Sequence, residues 1–237
     1  MELLQKNFPV ALRPLRRRLA NFLFELIRGR EYFSRLLLFD IVMGFVKDCA
    51  VEGHYLEFGC ADGGSLADAY RAARRKGLAG MKFFVFDSFE GLPEPTGVDA
   101  DRFRRYQKGD YACDMETYKR NVRLQGVDLE CLTLVPGWYN ESLTPELKKK
   151  LPIQRAAVIL IDCDLYESTV PVMDFIADYI QDGTVLIFDD WFSYKGRTDR
   201  GEARAFKEWL ARNPSFTANE YHKTDRTVMS FIMQVDR

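Results

Sequence analysis

From residue 54 onward the chain alternates short apolar runs with amphipathic stretches. The runs "HYLEFG", "KFFVFD", "LTLVP", "AAVILID" and "TVLIFDD" are rich in aliphatic and aromatic residues and too short for core helices, so they predict strands. Between them, "SLADAYRAARRKG", "METYKRNVRLQG", "TPELKKKL" and "STVPVMDFIADYIQDG" carry a helical pattern. Several of these close on glycine, which ends helices by adopting the left-handed conformation that other residues avoid. Strands alternating with helices predict a mostly parallel sheet covered on both faces. The tail differs. After the helix "EARAFKEWLARN", the runs "SFTANEYHK" and "TVMSFIMQV" predict a terminal antiparallel hairpin and raise the strand count to seven.

Upstream, "YFSRLLLFDIVMGFVKDC" predicts one helix, and residues 12–30 predict another. In the latter, Arg13, Arg16, Arg17, Arg18, Arg28 and Arg30 surround an apolar stripe of Leu19, Phe22, Leu23 and Leu26. The expected organisation is a helical extension over residues 1–50 and a single α/β domain over 51–237. The extension would cap the domain or join copies into a homo-oligomer; a membrane surface or an acidic ligand is the other use of such a basic face. The most irregular stretch, "GLPEPTGVDADRFRRYQKGDYAC" at 91–113, has the length of a lid.

Composition adds limits. The 237 residues suffice for one domain with a substantial core, and a net charge of −1 disfavours a mainly nucleic-acid-binding role. No apolar run has the length of a bilayer span, and the first residues lack the order of a secretion signal. The five cysteines form an odd set without a CxxC pair, which argues against zinc sites and disulfide frameworks and leads to the expectation of a reducing cytoplasm.

Candidate chemistry gathers at the predicted strand ends, where open parallel sheets bind ligands. The first strand runs into "EFGCADGGS", with Glu57, Gly59, Gly63, Gly64 and Ser65. Its glycines permit a tight turn and close approach of a ligand, yet Ala61 breaks the G-x-G-x-x-G dinucleotide fingerprint. Asp87 ends the second strand 23 residues past Gly64, near the spacing at which an acid accepts from a ribose hydroxyl pair. Together the two segments favour an adenosine-type ligand. The fourth strand ends in Asp162 and Asp164 and the fifth in Asp189 and Asp190. Such convergence calls for a cation, a donor network or displaced pKa values; oxygen-only ligands suit Mg²⁺ or Mn²⁺, whereas separate helix caps are the plainer alternative. His54 and His222 read as structural, Cys60 and Cys163 as small packing residues, and Trp138, Trp191 and Tyr166 as pocket-lining or core residues.

The segments "EFGCADGGS", "DSFEGLPEP", "QKGDYACDMETYKRNV", "VPGWYNESLTPEL", "IDCDLYESTVPVMDFI" and "GTVLIFDDW" resemble, in this order, the macrocin O-methyltransferase (TylF-type) family. The resemblance covers roughly residues 50–195. It implies a class I methyltransferase fold and an enzyme that uses S-adenosylmethionine and a divalent metal, Mg²⁺ or Mn²⁺. It places Glu57, Gly59 and Ser65 around the methionine part of the cofactor and counts Phe58 among the cofactor-binding residues. Asp87 would hold the ribose with Ser88 and Phe89 beside it, and Gly137 and Trp138 would lie near the adenine. Asp162, Asp189 and Asp190 match a metal triad, Asp162 also matches the proton acceptor, and Asp164 falls outside the triad.

The chemistry of the residues is compatible with that implication. Methyl transfer from a sulfonium to a hydroxyl needs in-line positioning, which contributes up to ~7–11 kcal/mol in favourable systems. A metal on the acceptor oxygen lowers its pKa, so a vicinal diol on a sugar, or a catechol, is the expected small-molecule acceptor. Phe89, the 91–113 loop, Trp138 and Trp191 are expected to close over it. Two other readings stay open on sequence grounds: a Mn²⁺-dependent glycosyltransferase using the D-x-D at 162–164, and a non-catalytic interaction module that uses its basic N-terminal helix.

Overall fold

Period-two burial explains the sheet. In β1 (His54–Phe58), Tyr55 and Glu57 face one side while Leu56 and Phe58 face the other, and both sides are covered by helices. The computed structural model describes residues 34–100 and 106–236. Its further strands are β2 (Phe83–Asp87), β3 (Leu132–Pro136), β4 (Ala156–Ile161), β5 (Val185–Phe188), β6 (Phe216–Thr224) and β7 (Val228–Val235), in the order β3-β2-β1-β4-β5-β7-β6. The first five pair in parallel; β7 runs antiparallel to both β5 and β6. Every residue of β4 is buried, as a central strand covered on both faces requires.

The helices are α1 (residues 34–48), α2 (Gly64–Arg75), α3 (Met115–Leu124), α4 (Tyr139–Ser142), α5 (Pro145–Lys150), α6 (Tyr166–Ile176) and α7 (Gly201–Arg212). On one face, Leu38, Phe39 and Val42 of α1 and Leu66 and Ala69 of α2 pack on Tyr55, Val85 and Val158. On the other, Val172 and Ile176 of α6 and Phe206 and Trp209 of α7 pack on Phe58, Ile159 and Phe188. The chain thus leaves β1 toward one edge and β4 toward the other. The crevice lies beyond the carboxyl ends at that reversal.

The seven-strand sheet and its terminal hairpin are present, and residues 34–48 of the helix predicted at 32–49 are helical; the one-turn α4 has no counterpart in the sequence pattern. The basic stripe of residues 12–30 and positions 101–105 of the expected lid lie outside the described residues. Among the described residues, no helix is long and apolar enough to cross a membrane.

Candidate active site

Gly59 sets the floor of the crevice. Its φ is +87°, and a Cβ there would stand 1.9 Å from the Asp162 carbonyl oxygen, so only glycine lets the ends of β1 and β4 approach so closely. Just before it, Glu57 is fully buried; Tyr55 donates a hydrogen bond to Oε2 at 2.6 Å and Ser65 donates to Oε1 at 2.9 Å. Burial pushes the Glu57 carboxyl up to about 7, against the lowering effect of those two donors. The Asp87 carboxylate accepts from the backbone N–H of Cys60 (2.8 Å) and of Phe89 (2.6 Å). A side chain expected to bind ribose therefore also ties the β1 turn to the β2 turn.

The acids at the next two strand ends converge. Asp162 N–H donates to the Phe58 carbonyl at 2.8 Å and Asp189 N–H to the Ile161 carbonyl at 3.0 Å, which extends the parallel pairing past β4 and β5. Carboxylate oxygens of Asp162, Asp164 and Asp190 all lie within 4.8 Å of one another. Burial, followed by Asp189, Asp164 and Asp190, raises the Asp162 carboxyl well above its ordinary range; burial and Asp190 do the same to Asp164. This geometry groups Asp164, not Asp189, with Asp162 and Asp190, a departure from the triad that the resemblance implies. Asp189 still acts electrostatically on Asp162 and borders two cavities.

Glu202, in the first turn of α7, is a site residue that sequence reasoning missed. It is fully buried and accepts from the N–H of Cys163 (2.9 Å) and of Asp190 (3.0 Å), clamping both acid-bearing loops. Burial and then Asp190 raise its pKa. An acid after Gly201 at a helix start reads as an ordinary dipole-complementing residue, so no local signal distinguishes it. Tyr106 was missed as well: its hydroxyl donates to Asp190 Oδ1 at 2.8 Å, and the Ser193 hydroxyl donates to the same oxygen. Asp99 caps α6 from the 91–113 segment, accepting from Tyr166 N–H and Glu167 N–H at 3.0 Å each.

A cavity of about 590 Å³ collects Gly59, Asp87, Ser88, Gly137, Trp138, Asp162, Asp164, Asp189 and Asp190. Leu92, Thr96, Asp99 and Tyr111 of the expected lid border it too. Other expected residues sit elsewhere. The Phe58 ring stacks on Phe86 in the core at 4.5 Å, and the Phe89 ring packs edge-on against Tyr118, leaving only its backbone at the site. Trp191 is corrected from lid to core: it packs among Phe188, Phe206 and Phe231, because the chain after Asp190 turns back onto the sheet. Tyr166 hydrogen-bonds Glu208, away from the acids. Glu57 lies behind the cavity wall, with Ser65 between it and a second cavity.

The sheet order, the antiparallel β7 and a cavity at the chain reversal define a Rossmann-like class I methyltransferase domain. The family model described as macrocin O-methyltransferase (TylF) matches residues 32–210, and the chain belongs to that family. One relative, the 8-demethyl-8-(2,3-dimethoxy-alpha-L-rhamnosyl)-tetracenomycin-C 4'-O-methyltransferase of Streptomyces olivaceus, is 32% identical over 146 residues, covering 60% of this chain and 54% of its own length. The mycinamicin III 3''-O-methyltransferase of Micromonospora griseorubida is 26% identical over 147 residues, 60% of this chain and 56% of its own. The matched part thus spans about half the length of these curated relatives. Among solved structures, the calicheamicin methyltransferase CalS11 aligns with a TM-score of 0.70 at 23% identity, covering 97% of this chain and 88% of that one. The O-methyltransferase NovP aligns at 0.69 and 23%, covering 85% and 80%. At these identities the structural matches establish the fold.

Proposed function

We propose that this protein is an S-adenosylmethionine-dependent O-methyltransferase that methylates a sugar hydroxyl of a glycosylated small molecule, with a divalent cation at the acid cluster. The observation that carries the reading is one cavity that holds a fixed Asp87 at one end and the Asp162–Asp164–Asp190 carboxylates at the other, in a chain of this family. The printed activity of the Streptomyces olivaceus relative, on a rhamnosyl-bearing tetracenomycin, supports the acceptor class.

In this proposal Asp87, immobilised by two backbone donors, accepts both ribose hydroxyls. Gly137 and Trp138 flank the adenine. The carboxylates of Asp162, Asp164 and Asp190 form an oxygen-only donor set that fits Mg²⁺ or Mn²⁺, with burial and neighbouring acids raising the first two. Asp162 and Asp190, common to the resemblance and to the geometry, would hold the cation, with Asp164 and Asp189 flanking it. When bound, such a cation lowers the pKa of an acceptor hydroxyl. A carboxylate oxygen of Asp162 would take the hydroxyl proton as the oxygen bonds to the methyl carbon and the carbon–sulfonium bond breaks, the sulfur leaving as the neutral thioether. Glu202 keeps the Cys163 and Asp190 peptides fixed while this occurs. Trp138 on one side and the 91–100 segment on the other exclude water.

The test is methyl transfer from labelled S-adenosylmethionine to a panel of deoxysugar glycosides with and without Mg²⁺, read by mass spectrometry. A gain of one methyl group on a sugar hydroxyl supports the proposal. Transfer of sugar from a nucleotide donor, without methyl transfer, would replace it by the D-x-D glycosyltransferase reading.

A further inference from the structure

The segment between β2 and α3 has two described limbs, residues 91–100 and 106–113, and each is tied to one side of the acid cluster. Two backbone bonds join the limbs at their base, Leu92 N–H to the Asp110 carbonyl at 3.0 Å and Gly109 N–H to the Leu92 carbonyl at 2.9 Å. Gly91 permits that approach, since a Cβ there would stand 2.6 Å from the Asp110 oxygen. The first limb ends in Asp99, whose bonds to Tyr166 N–H and Glu167 N–H are an ordinary helix cap just past Asp164. The second limb is tied differently. The Tyr106 ring is buried with Leu165, Tyr194 and Leu92, and its hydroxyl donates to Asp190 Oδ1 at 2.8 Å. Packing alone would be served by phenylalanine; the hydroxyl is spent on a carboxylate that already faces two others. Ser193 donates to the same oxygen, so the carboxylate cannot turn without breaking both bonds. Glu202 meanwhile holds the Asp190 N–H, which fixes the backbone from the opposite element, α7.

We infer that Tyr106 is a positioning residue: its hydroxyl orients the Asp190 carboxylate for a cation, and through this bond the cation and the 106–113 limb stabilise each other. This rests on the cation proposed above and adds to it a residue and a coupling. A ligand oxygen already held in place loses little freedom when the ion arrives, so the hydroxyl contributes to affinity without touching the metal. Coupling of this kind is reciprocal. Whatever the Tyr106 bond adds to cation binding, the bound cation returns as stability of the limb that carries Tyr106. Leu92 packs against Tyr106 and, with Thr96 and Tyr111, borders the cavity. The cation therefore firms the wall against which an acceptor lies, and cation binding is expected to precede and strengthen acceptor binding.

Mn²⁺ titration followed by electron paramagnetic resonance, on the wild type and on Tyr106→Phe, tests the assignment without turnover. The variant keeps the ring and its packing and loses only the hydroxyl. It is expected to bind Mn²⁺ roughly 10- to 100-fold more weakly, the usual effect of removing a hydrogen-bond partner from a metal ligand. Its affinity for S-adenosylhomocysteine should stay within about twofold of wild type, which reports an intact fold. Hydrogen–deuterium exchange of residues 106–113 supplies a readout that a merely structural tyrosine would not move. Mn²⁺ should slow exchange there in the wild type and much less in Tyr106→Phe. Equal Mn²⁺ affinity in the two proteins, or tighter binding by the variant, overturns the assignment while leaving the cation proposal intact. No Mn²⁺-dependent slowing in the wild type, or equal slowing in both, overturns the coupling. Failure of the wild type to bind Mn²⁺ overturns the cation proposal, and this inference with it.

Discussion

Glu57 makes stability fall as pH rises, and the size of the fall follows from its surroundings. The carboxyl is fully buried, with Tyr55 and Ser65 as its hydrogen-bond donors, and burial moves it from 4.5 to about 7. That displacement corresponds to roughly 3 kcal/mol. The unfolded chain releases this proton near 4.5, whereas the folded chain retains it to about 7. Between these values the folded state binds more protons, so the contribution is fully present below 4.5 and is lost as pH rises through 7. Asp162, Asp164 and Glu202, displaced upward by burial and then by neighbouring acids, act in the same direction. The assay is urea and thermal unfolding of the ligand-free, chelator-treated protein from pH 5 to 8, for wild type and Glu57→Gln. The wild type should lose stability across that range, and the variant should lose roughly 3 kcal/mol less, or about 6–12 °C in melting temperature for a chain of this size. Stability that rises over this window, or an identical slope in the variant, would refute the reasoning.

Three further outcomes are expected. Asp87→Ala removes the acceptor of two backbone N–H groups as well as the ribose contact, so S-adenosylhomocysteine affinity should fall at least tenfold by calorimetry and the free protein should lose about 1–3 kcal/mol in urea unfolding. Asp190→Asn, or chelation of the wild type, should reduce methyl transfer more than about 100-fold while leaving cofactor affinity within about threefold, because the acid cluster lies at the other end of the cavity from Asp87. Glu202→Ala leaves the Cys163 and Asp190 peptides buried without an acceptor; a loss of about 1–3 kcal/mol in unfolding and a turnover defect larger than the change in cofactor affinity should follow.

What the sequence conveyed, and what it did not, divides along local and long-range causes. Strands of four to nine residues with apolar runs, and helices with a clear apolar stripe, are local patterns, so the sheet, the hairpin and most helices could be read in advance. Asp87, Asp162, Asp189 and Asp190 could be singled out because each ends an apolar run, a position that topology turns toward ligands. Grouping them was harder. Whether Asp164 or Asp189 joins Asp162 and Asp190 depends on the backbone path after the strands end, and Asp164 adopts a left-handed φ of +59° that no local pattern announces. Glu202 and Tyr106 owe their places to contacts 12 and 84 positions apart in sequence, and each looks ordinary among its own neighbours. Trp191 shows the converse: an aromatic beside an acid pair suggested a lid, yet three core phenylalanines claim it.

The central claim is that the β1–β2 end of this sheet binds the adenosyl cofactor through Asp87. Titration calorimetry of S-adenosylhomocysteine into the wild-type protein and Asp87→Ala tests it most directly. One bound molecule per chain in the wild type, with affinity at least tenfold weaker in the variant, is the predicted result. No binding by the wild type, or equal binding by both proteins, would contradict the account.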